Sequence, residues 1–86
     1  MKFLVISKWK PEANPELRKR MKAWKPESGV EYVLEPHRMI GRCKGCFIVE
    51  GDDPTQMIQG MAGWDDLVEY EVIPIYPSKK AVELTK

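Results

Sequence analysis

The sequence predicts a single α+β domain with the ferredoxin-like βαββαβ topology, in which a four-stranded antiparallel sheet carries two helices on one face. Four short β-rich runs and two helix-start signals occur in the order that this topology requires. No linker or low-complexity segment divides the 86 residues. Two right-handed crossovers of this kind place all four strands in one sheet. Residues 1–86 are therefore expected to form one domain, with residues 77–86 as a C-terminal extension.

The strands are predicted from β-rich apolar runs that end at proline, glycine or charged residues. They fall at residues 2–9, 30–38, 46–49 and 66–76. Pro36 indicates that the second strand lies at an edge of the sheet, because proline cannot donate to the hydrogen-bond ladder. Gly41 and Gly45 permit the backbone angles of a turn or bulge between the second and third strands.

The helices are predicted from a short polar side chain followed by proline, a common helix start. Asn14-Pro15 opens a helix that extends to about Trp24, and Asp53-Pro54 opens one that extends to about Met61. Leu17, Met21 and Trp24 share one face of the first helix at the spacing i, i+4 and i+7. Residues 78–84 are compatible with a short final helix.

Alternation along the strands divides the sheet into two faces. The face under the helices is predicted to contain Leu4, Ile6, Tyr32, Leu34, Phe47, Val49, Val68, Tyr70 and Val72. The other face would then contain Phe3, Val5, Ser7, Trp9, Val33, Glu35, His37, Cys46, Ile48, Glu50, Leu67, Glu69, Glu71 and Ile73. A four-stranded sheet of this length exposes about 350 Å² or more, and apolar faces of that size usually have a partner. The sequence therefore predicts a homodimer, and higher assemblies of dimers remain open.

Composition argues against several classes of partner. The formal net charge is +1, which gives no reason to expect nucleic acid or an anionic membrane. The apolar start of the chain is too short to span a membrane. Two cysteines without a signal peptide indicate a reducing compartment, and we expect a cytoplasmic protein.

Several segments resemble a small prokaryotic family of uncharacterised proteins in the dimeric α+β barrel superfamily. They are the opening strand at 2–9, Pro36-His37 with the glycine-rich return at 41–45, the segment 47–54, and the final strand at 64–74. Pro36 stands where members often have tryptophan. The resemblance implies a ferredoxin-like fold and a dimer whose open sheet faces meet. It implies no particular activity, since the superfamily contains monooxygenases, isomerases, haem-degrading enzymes and binding modules.

The candidate catalytic residues are His37 and Glu50, which are predicted to share the open face. Histidine can exchange a proton near neutral pH, and a nearby carboxylate can orient or receive that proton. The predicted function is binding of a small molecule between the two sheets, with acid–base chemistry of the isomerase or monooxygenase kind. The other ligand-binding candidates are Trp9, Glu35, Cys46, Ile48, Trp64 and Glu69. Simple structural interpretations are also available: the histidine can be solvated, the carboxylates can be paired with basic side chains, and the tryptophans can belong to the core.

Three alternatives depend on specific features. Cys43 and Cys46 have CxxC spacing, but they enter a strand and no second cysteine pair completes a four-ligand zinc site, so no metal or cofactor is assigned. Residues 44–50 loosely resemble the central signature of an RNA-recognition motif, yet Cys46 and Ile48 occupy the positions that must stack on bases. The remaining alternative is a structural or regulatory dimerisation module without catalytic activity.

Overall fold

The computed structural model describes residues 1–26 and 28–85. Strands and helices alternate in the predicted order, and one further helix follows the last strand. The elements are β1 (Lys2–Trp9), α1 (Asn14–Lys22), β2 (Glu31–Arg38), β3 (Lys44–Glu50), α2 (Thr55–Ala62), β4 (Val68–Ile75) and α3 (Ser78–Leu84), with a 3-10 turn at Pro11–Ala13 before α1. The bounds differ from the sequence predictions by at most two residues.

The sheet has the strand order β2-β3-β1-β4. All three neighbouring pairs are antiparallel. This order confirms the predicted α+β fold of ferredoxin-like topology. It also places β2 at an edge of the sheet. The missing backbone amide of Pro36 therefore does not interrupt the hydrogen bonds between two inner strands. Gly41 has φ of 78° in the β2–β3 return, a backbone angle that favours glycine.

The two helix starts differ from each other. The Asp53 carboxylate accepts hydrogen bonds from the backbone amide and hydroxyl of Thr55, at 3.0 and 2.6 Å, so it satisfies a free amide at the start of α2. Asn14 does not cap α1. Its side-chain oxygen instead accepts a hydrogen bond from Trp9 Nε1 at 2.7 Å, and the residue before α1 is Ala13, which has no capping side chain.

The register of β1 reverses its predicted faces. Val5 pairs with Phe47 on β3 and with Val72 on β4, and directly paired residues of antiparallel strands point to the same side. Val5 is completely buried. Phe3, Val5, Ser7 and Trp9 therefore lie under the helices. The prediction that Leu4 and Ile6 lie there was wrong.

Strand β2 changes face part of the way along. Tyr32 pairs with Val49 on the helix side, but Leu34 pairs with Ile48, and the ladder shifts between these two pairs. A bulge inserts an extra residue and re-aims the side chains that follow. Leu34 consequently lies on the open face of the sheet, not under the helices as alternation predicted.

The face opposite α1 and α2, the open face, carries an aliphatic stripe across all four strands. It consists of Leu4, Ile6, Leu34, Cys46, Ile48, Ile73 and Ile75. Lysines and glutamates frame the stripe at the strand ends, including a Lys8 Nζ–Glu69 Oε2 pair at 4.0 Å. Leu4 and Ile6 make this face more continuously apolar than the sequence pattern indicated.

The core under the helices is small. The apolar residues that are buried are Val5, Leu17, Val49 and Val68. A row of rings continues the layer: Trp24 meets Tyr32 edge-on with ring centroids 5.6 Å apart, Tyr32 meets Phe47 at 6.0 Å, and Phe47 meets Tyr70 at 6.4 Å. Side chains of this length hold α1 and α2 away from the sheet.

Candidate functional site

A cavity of about 300 Å³ lies between the sheet and the two helices α1 and α2. Its floor comes from the helix-side residues of all four strands. Its roof comes from α1, α2 and the turn after α2. This is a different place from the one the sequence predicted, which was the space between the open faces of two sheets.

The cavity wall is mainly aromatic and thioether. Aromatic edges and polarisable sulfur atoms accommodate flat or irregular apolar molecules well. The apolar wall consists of Trp9, Leu17, Met21, Trp24, Val30, Tyr32, Pro36, Phe47, Val49, Met57, Met61, Trp64, Val68 and Tyr70.

Two side chains with hydroxyl groups lie on the sheet floor of the cavity. Ser7 on β1 pairs with Tyr70 on β4, so both side chains point to the helix side. Burial raises the pKa of Tyr70 to about 12, with smaller contributions from the charge of Asp65 and from Tyr32. The phenol therefore stays protonated at neutral pH and can donate a hydrogen bond to a bound molecule.

Gly45 leaves space on the sheet surface next to Ser7, because it has no side chain. A Cβ atom at this position would lie 2.7 Å from the backbone oxygen of His37 and 2.9 Å from Ser7 Oγ. Contacts that short do not occur in relaxed structures, so any other residue would push β2 and β3 apart. The glycine that the sequence suggested for a turn thus also gives the cavity its depth.

Trp9 forms one end of the cavity. Its Nε1 group donates to Asn14 Oδ1, and the Arg38 guanidinium lies 5.5 Å from the ring centroid. A cation over an indole face is an attractive arrangement. The sequence predicted Trp9 as a wall residue on the open face; the register places it under the helices, where it lines this cavity.

Trp64 lines the cavity at the turn after α2, as predicted for a pocket wall. Arg20 of α1 holds this turn through a bidentate pair with Asp66, at 2.7 and 2.9 Å, and a hydrogen bond to the Gly63 carbonyl. Its guanidinium also lies 5.9 Å from the Trp64 ring centroid. Hydrogen bonding to Arg20 lowers the pKa of Asp66.

The two proposed catalytic residues are not brought together. His37 pairs with Cys46, whereas Glu50 pairs with Glu31 at the other end of the β2–β3 ladder. His37 is exposed, borders the cavity and has its Nδ1 2.5 Å from the Glu35 carbonyl oxygen. Glu50 is exposed on the open face opposite Lys2.

The remaining predicted ligand residues are divided between the two faces. Ile48 and Glu69 lie on the open face, away from the cavity. Cys46 pairs with Ile6 on the open face, although it also borders the cavity edge. Glu35 is exposed on β2 between the two ladder shifts, and its backbone oxygen contacts His37.

Both cysteines are free thiols. Cys43 Sγ lies 3.7 Å from Asn14 Nδ2, which anchors the β2–β3 return to α1. Within the ranges 1–26 and 28–85, no three His, Cys, Asp or Glu side chains converge as a metal-binding group.

Sequence reasoning missed the helix side of the cavity. Met57 and Met61 are spaced i, i+4 on α2, and with Met21 they form its methionine roof. That spacing was visible in the sequence. It is also the ordinary pattern of a helix core, so only the separation of helix and sheet shows that these residues line an open space.

Fold and site together define a small α+β domain of ferredoxin-like topology with an aromatic cavity between sheet and helices. The chain belongs to the family DUF3303, a domain of unknown function, whose family description matches residues 1–86. The resemblance to a family of uncharacterised proteins is confirmed at that level; its superfamily and prokaryotic origin stay predictions. Neither a curated protein nor a solved structure matches the chain.

None of the helices in the described part of the chain is long and apolar enough to cross a membrane.

Proposed function

We propose that this domain binds a small, largely apolar molecule in the cavity between its sheet and helices. The observation that carries the proposal is a space of about 300 Å³ lined by six aromatic rings and three methionines. Ligand sites in proteins typically have volumes of about 300–1,000 Å³ and apolar walls with a few polar groups. Ser7 and Tyr70 supply such polar groups on the floor.

Packing energetics support a binding role for this space. Protein interiors are close-packed, and voids larger than a water molecule are few. An open space of this size leaves the apolar side chains around it without the close contacts that neighbouring atoms would give them. An apolar occupant would restore those contacts, whereas water gains little from walls with so few polar groups.

Acid–base chemistry by His37 and Glu50 stays a hypothesis with weaker support. The register separates their ladder positions by four residues, which corresponds to about 13 Å of strand. A direct proton transfer between them at that separation is not feasible. Binding without turnover is the function that the geometry supports best.

The proposal is tested by filling the cavity with a larger side chain. Met57→Trp adds bulk to the roof, and we expect it to weaken binding of the neutral fluorophore N-phenyl-1-naphthylamine at least tenfold, measured by its fluorescence enhancement. The matched control is Ile58→Trp, one residue along the same helix, where the native side chain is 57% exposed and does not line the cavity. Equal binding by both variants, or no binding by the wild type, would contradict the proposal.

We further infer that the functional unit is a homodimer joined through the open faces. The aliphatic stripe is continuous across four strands, and lysines and glutamates lie at both of its ends, as with Lys8 beside Glu69. Such a face is self-complementary in a two-fold arrangement, where each copy offers the same patch. Under this proposal each subunit keeps its own cavity, and the dimer seam lies on the other side of the sheet.

A dimerisation module without a ligand is the second candidate, favoured by the same open face. The Met57→Trp variant separates the two, since it would fill the cavity and leave the open face unchanged. We also place the protein in a reducing compartment such as the cytoplasm, because Cys43 and Cys46 are both free thiols.

A further inference from the structure

The charged side chains that border the cavity share one sign. They are Arg18 on α1 and Arg38 on β2. Among the described residues no aspartate or glutamate lines the cavity, although the chain has 13 acidic residues against 14 lysines and arginines. The excess of basic side chains at the cavity border therefore does not follow from the overall charge of the protein.

The basic groups gather around Trp9, at one end of the cavity. The Arg38 guanidinium stacks over the Trp9 ring, and Trp9 Nε1 is bonded to Asn14. Arg18 follows Asn14 by four residues in α1, so the two share one face of the helix. Trp9 thus has Arg38 against its ring and Arg18 one helical turn beyond its hydrogen-bond partner.

Neither guanidinium is neutralised within the part of the chain that the structure describes. Arg20, two residues after Arg18, is paired with both Glu16 and Asp66. Arg18 and Arg38 have no carboxylate within ion-pair distance, and both are exposed while still bordering the cavity. Their donors therefore remain available at the cavity opening. Arginine presents these donors in a planar fork that matches the two oxygens of a carboxylate.

We infer that the ligand is an amphipathic carboxylate, with its aromatic or aliphatic body among the rings and its carboxylate at Arg18 and Arg38. This inference rests on the proposed binding function and names the ligand class. The volume of about 300 Å³ corresponds to roughly ten groups of water size, at about 30 Å³ each. An aryl-acetate or a medium-chain fatty acid has this size and this division between an apolar body and a charged end.

The test uses two compounds of equal shape, 2-naphthylacetate and its neutral analogue 2-naphthylacetamide. Each displaces N-phenyl-1-naphthylamine from the wild-type protein at pH 7.5, and we expect the acid to bind at least tenfold more tightly than the amide. In Arg18→Gln and in Arg38→Gln the preference should fall to about threefold or less, while affinity for the amide stays the same. Lys19→Gln, a neighbouring basic residue that does not line the cavity, should keep the full preference.

The readouts separate this inference from the proposed function. If the neutral fluorophore binds but acid and amide compete equally, or neither competes, the carboxylate assignment is overturned and the cavity proposal stands. If the fluorophore itself does not bind, both fall. Since Arg38→Gln also removes the contact with Trp9, near-ultraviolet circular dichroism checks its fold, and Arg18→Gln supplies the same test without touching that ring. An unchanged preference in a folded Arg18→Gln protein would exclude Arg18 from the site.

Discussion

Trp9 and Trp64 stand at two places on the cavity wall, and each is held by an arginine. Arg38 contacts the ring of Trp9, and Arg20 contacts the ring of Trp64 while it bridges to Asp66. The two arginines differ in what else they bind. Arg20 is occupied by carboxylates and acts as a clamp between α1 and the turn that connects α2 to β4, whereas Arg38 has no carboxylate partner among the described residues.

The clamp predicts a pH dependence of stability. Hydrogen bonding to Arg20 lowers the pKa of Asp66 in the folded protein. The Arg20–Asp66 pair therefore stabilises the folded protein above the ordinary aspartate pKa of about 3.9. This stabilisation is lost as the pH falls through the lowered pKa of Asp66 in the folded protein. Asp66→Asn should reduce the melting temperature at pH 7, because it removes the ion pair with Arg20. The reduction should be only a few degrees, because solvent-exposed ion pairs contribute little to stability.

The difference between wild type and Asp66→Asn should stay constant from pH 7 to about pH 5, and shrink below about pH 4. Thermal unfolding of both proteins across this range measures it. Asp65→Asn is the matched control, because Asp65 is the adjacent exposed carboxylate and forms no ion pair with an arginine among the described residues. A difference that grows as the pH falls would contradict the clamp.

At the scale of elements, the sequence was sufficient for the order and approximate bounds of all four strands and both crossover helices. Their signals are local: proline after a polar residue at 14–15 and 53–54, and β-rich runs bounded by proline and glycine. Local signals did not predict which residues of β1 point toward the helices. Phe3, Leu4, Val5 and Ile6 are all apolar, so alternation offers no contrast, and only pairing with β3 and β4 decides which side is inside.

The site was predicted only in part for related reasons. Trp9 and Trp64 were singled out as wall residues, and both line the cavity. His37 and Glu50 were expected to share the open face, but the register separates their ladder positions by four residues, and the ladder shifts on β2 are not visible in its sequence. Arg18 was not singled out from the sequence, because its position at the cavity depends on how far α1 stands from the sheet.

The register of β1 predicts different effects for two neighbouring substitutions. Val5→Ala should lower the free energy of unfolding by about 2 kcal/mol or more, since it removes two methyl groups from a position that is 0% exposed. Leu4→Ala removes more apolar volume but from the open face, so the fold of an isolated subunit should lose less and self-association more. Urea denaturation at low protein concentration measures the first effect, and sedimentation measures the second. A larger loss of subunit stability in Leu4→Ala would contradict the register.

At the scale of the whole molecule, the chain is elongated. Its radius of gyration is 14.5 Å and its dimensions are 50 × 29 × 17 Å, compared with a radius of about 12 Å expected for a compact domain of this length. Helix α3 contributes exposed apolar side chains, with Val82 61% and Leu84 76% accessible. A second subunit would increase the small amount of apolar surface that this chain buries on its own.

The homodimer is tested by placing a charge on the open face. Ile48→Lys puts an unpaired ammonium in the proposed seam at a cost of several kcal/mol per copy, so the variant should sediment as a monomer at micromolar concentration. Ile58→Lys, on an exposed part of α2, introduces the same charge outside the seam and should leave the dimer intact. A wild-type protein that is monomeric under these conditions would rule the dimer out.

The central claim, a ligand cavity between sheet and helices, is tested most directly by the methyl groups of the five methionines. Met21, Met57 and Met61 line the cavity, whereas Met1 and Met39 do not. In protein labelled with ¹³C at the methionine methyls, titration with N-phenyl-1-naphthylamine should shift the signals of residues 21, 57 and 61 and leave the other two in place. Shifts absent from those three, or equal across all five, would contradict the account.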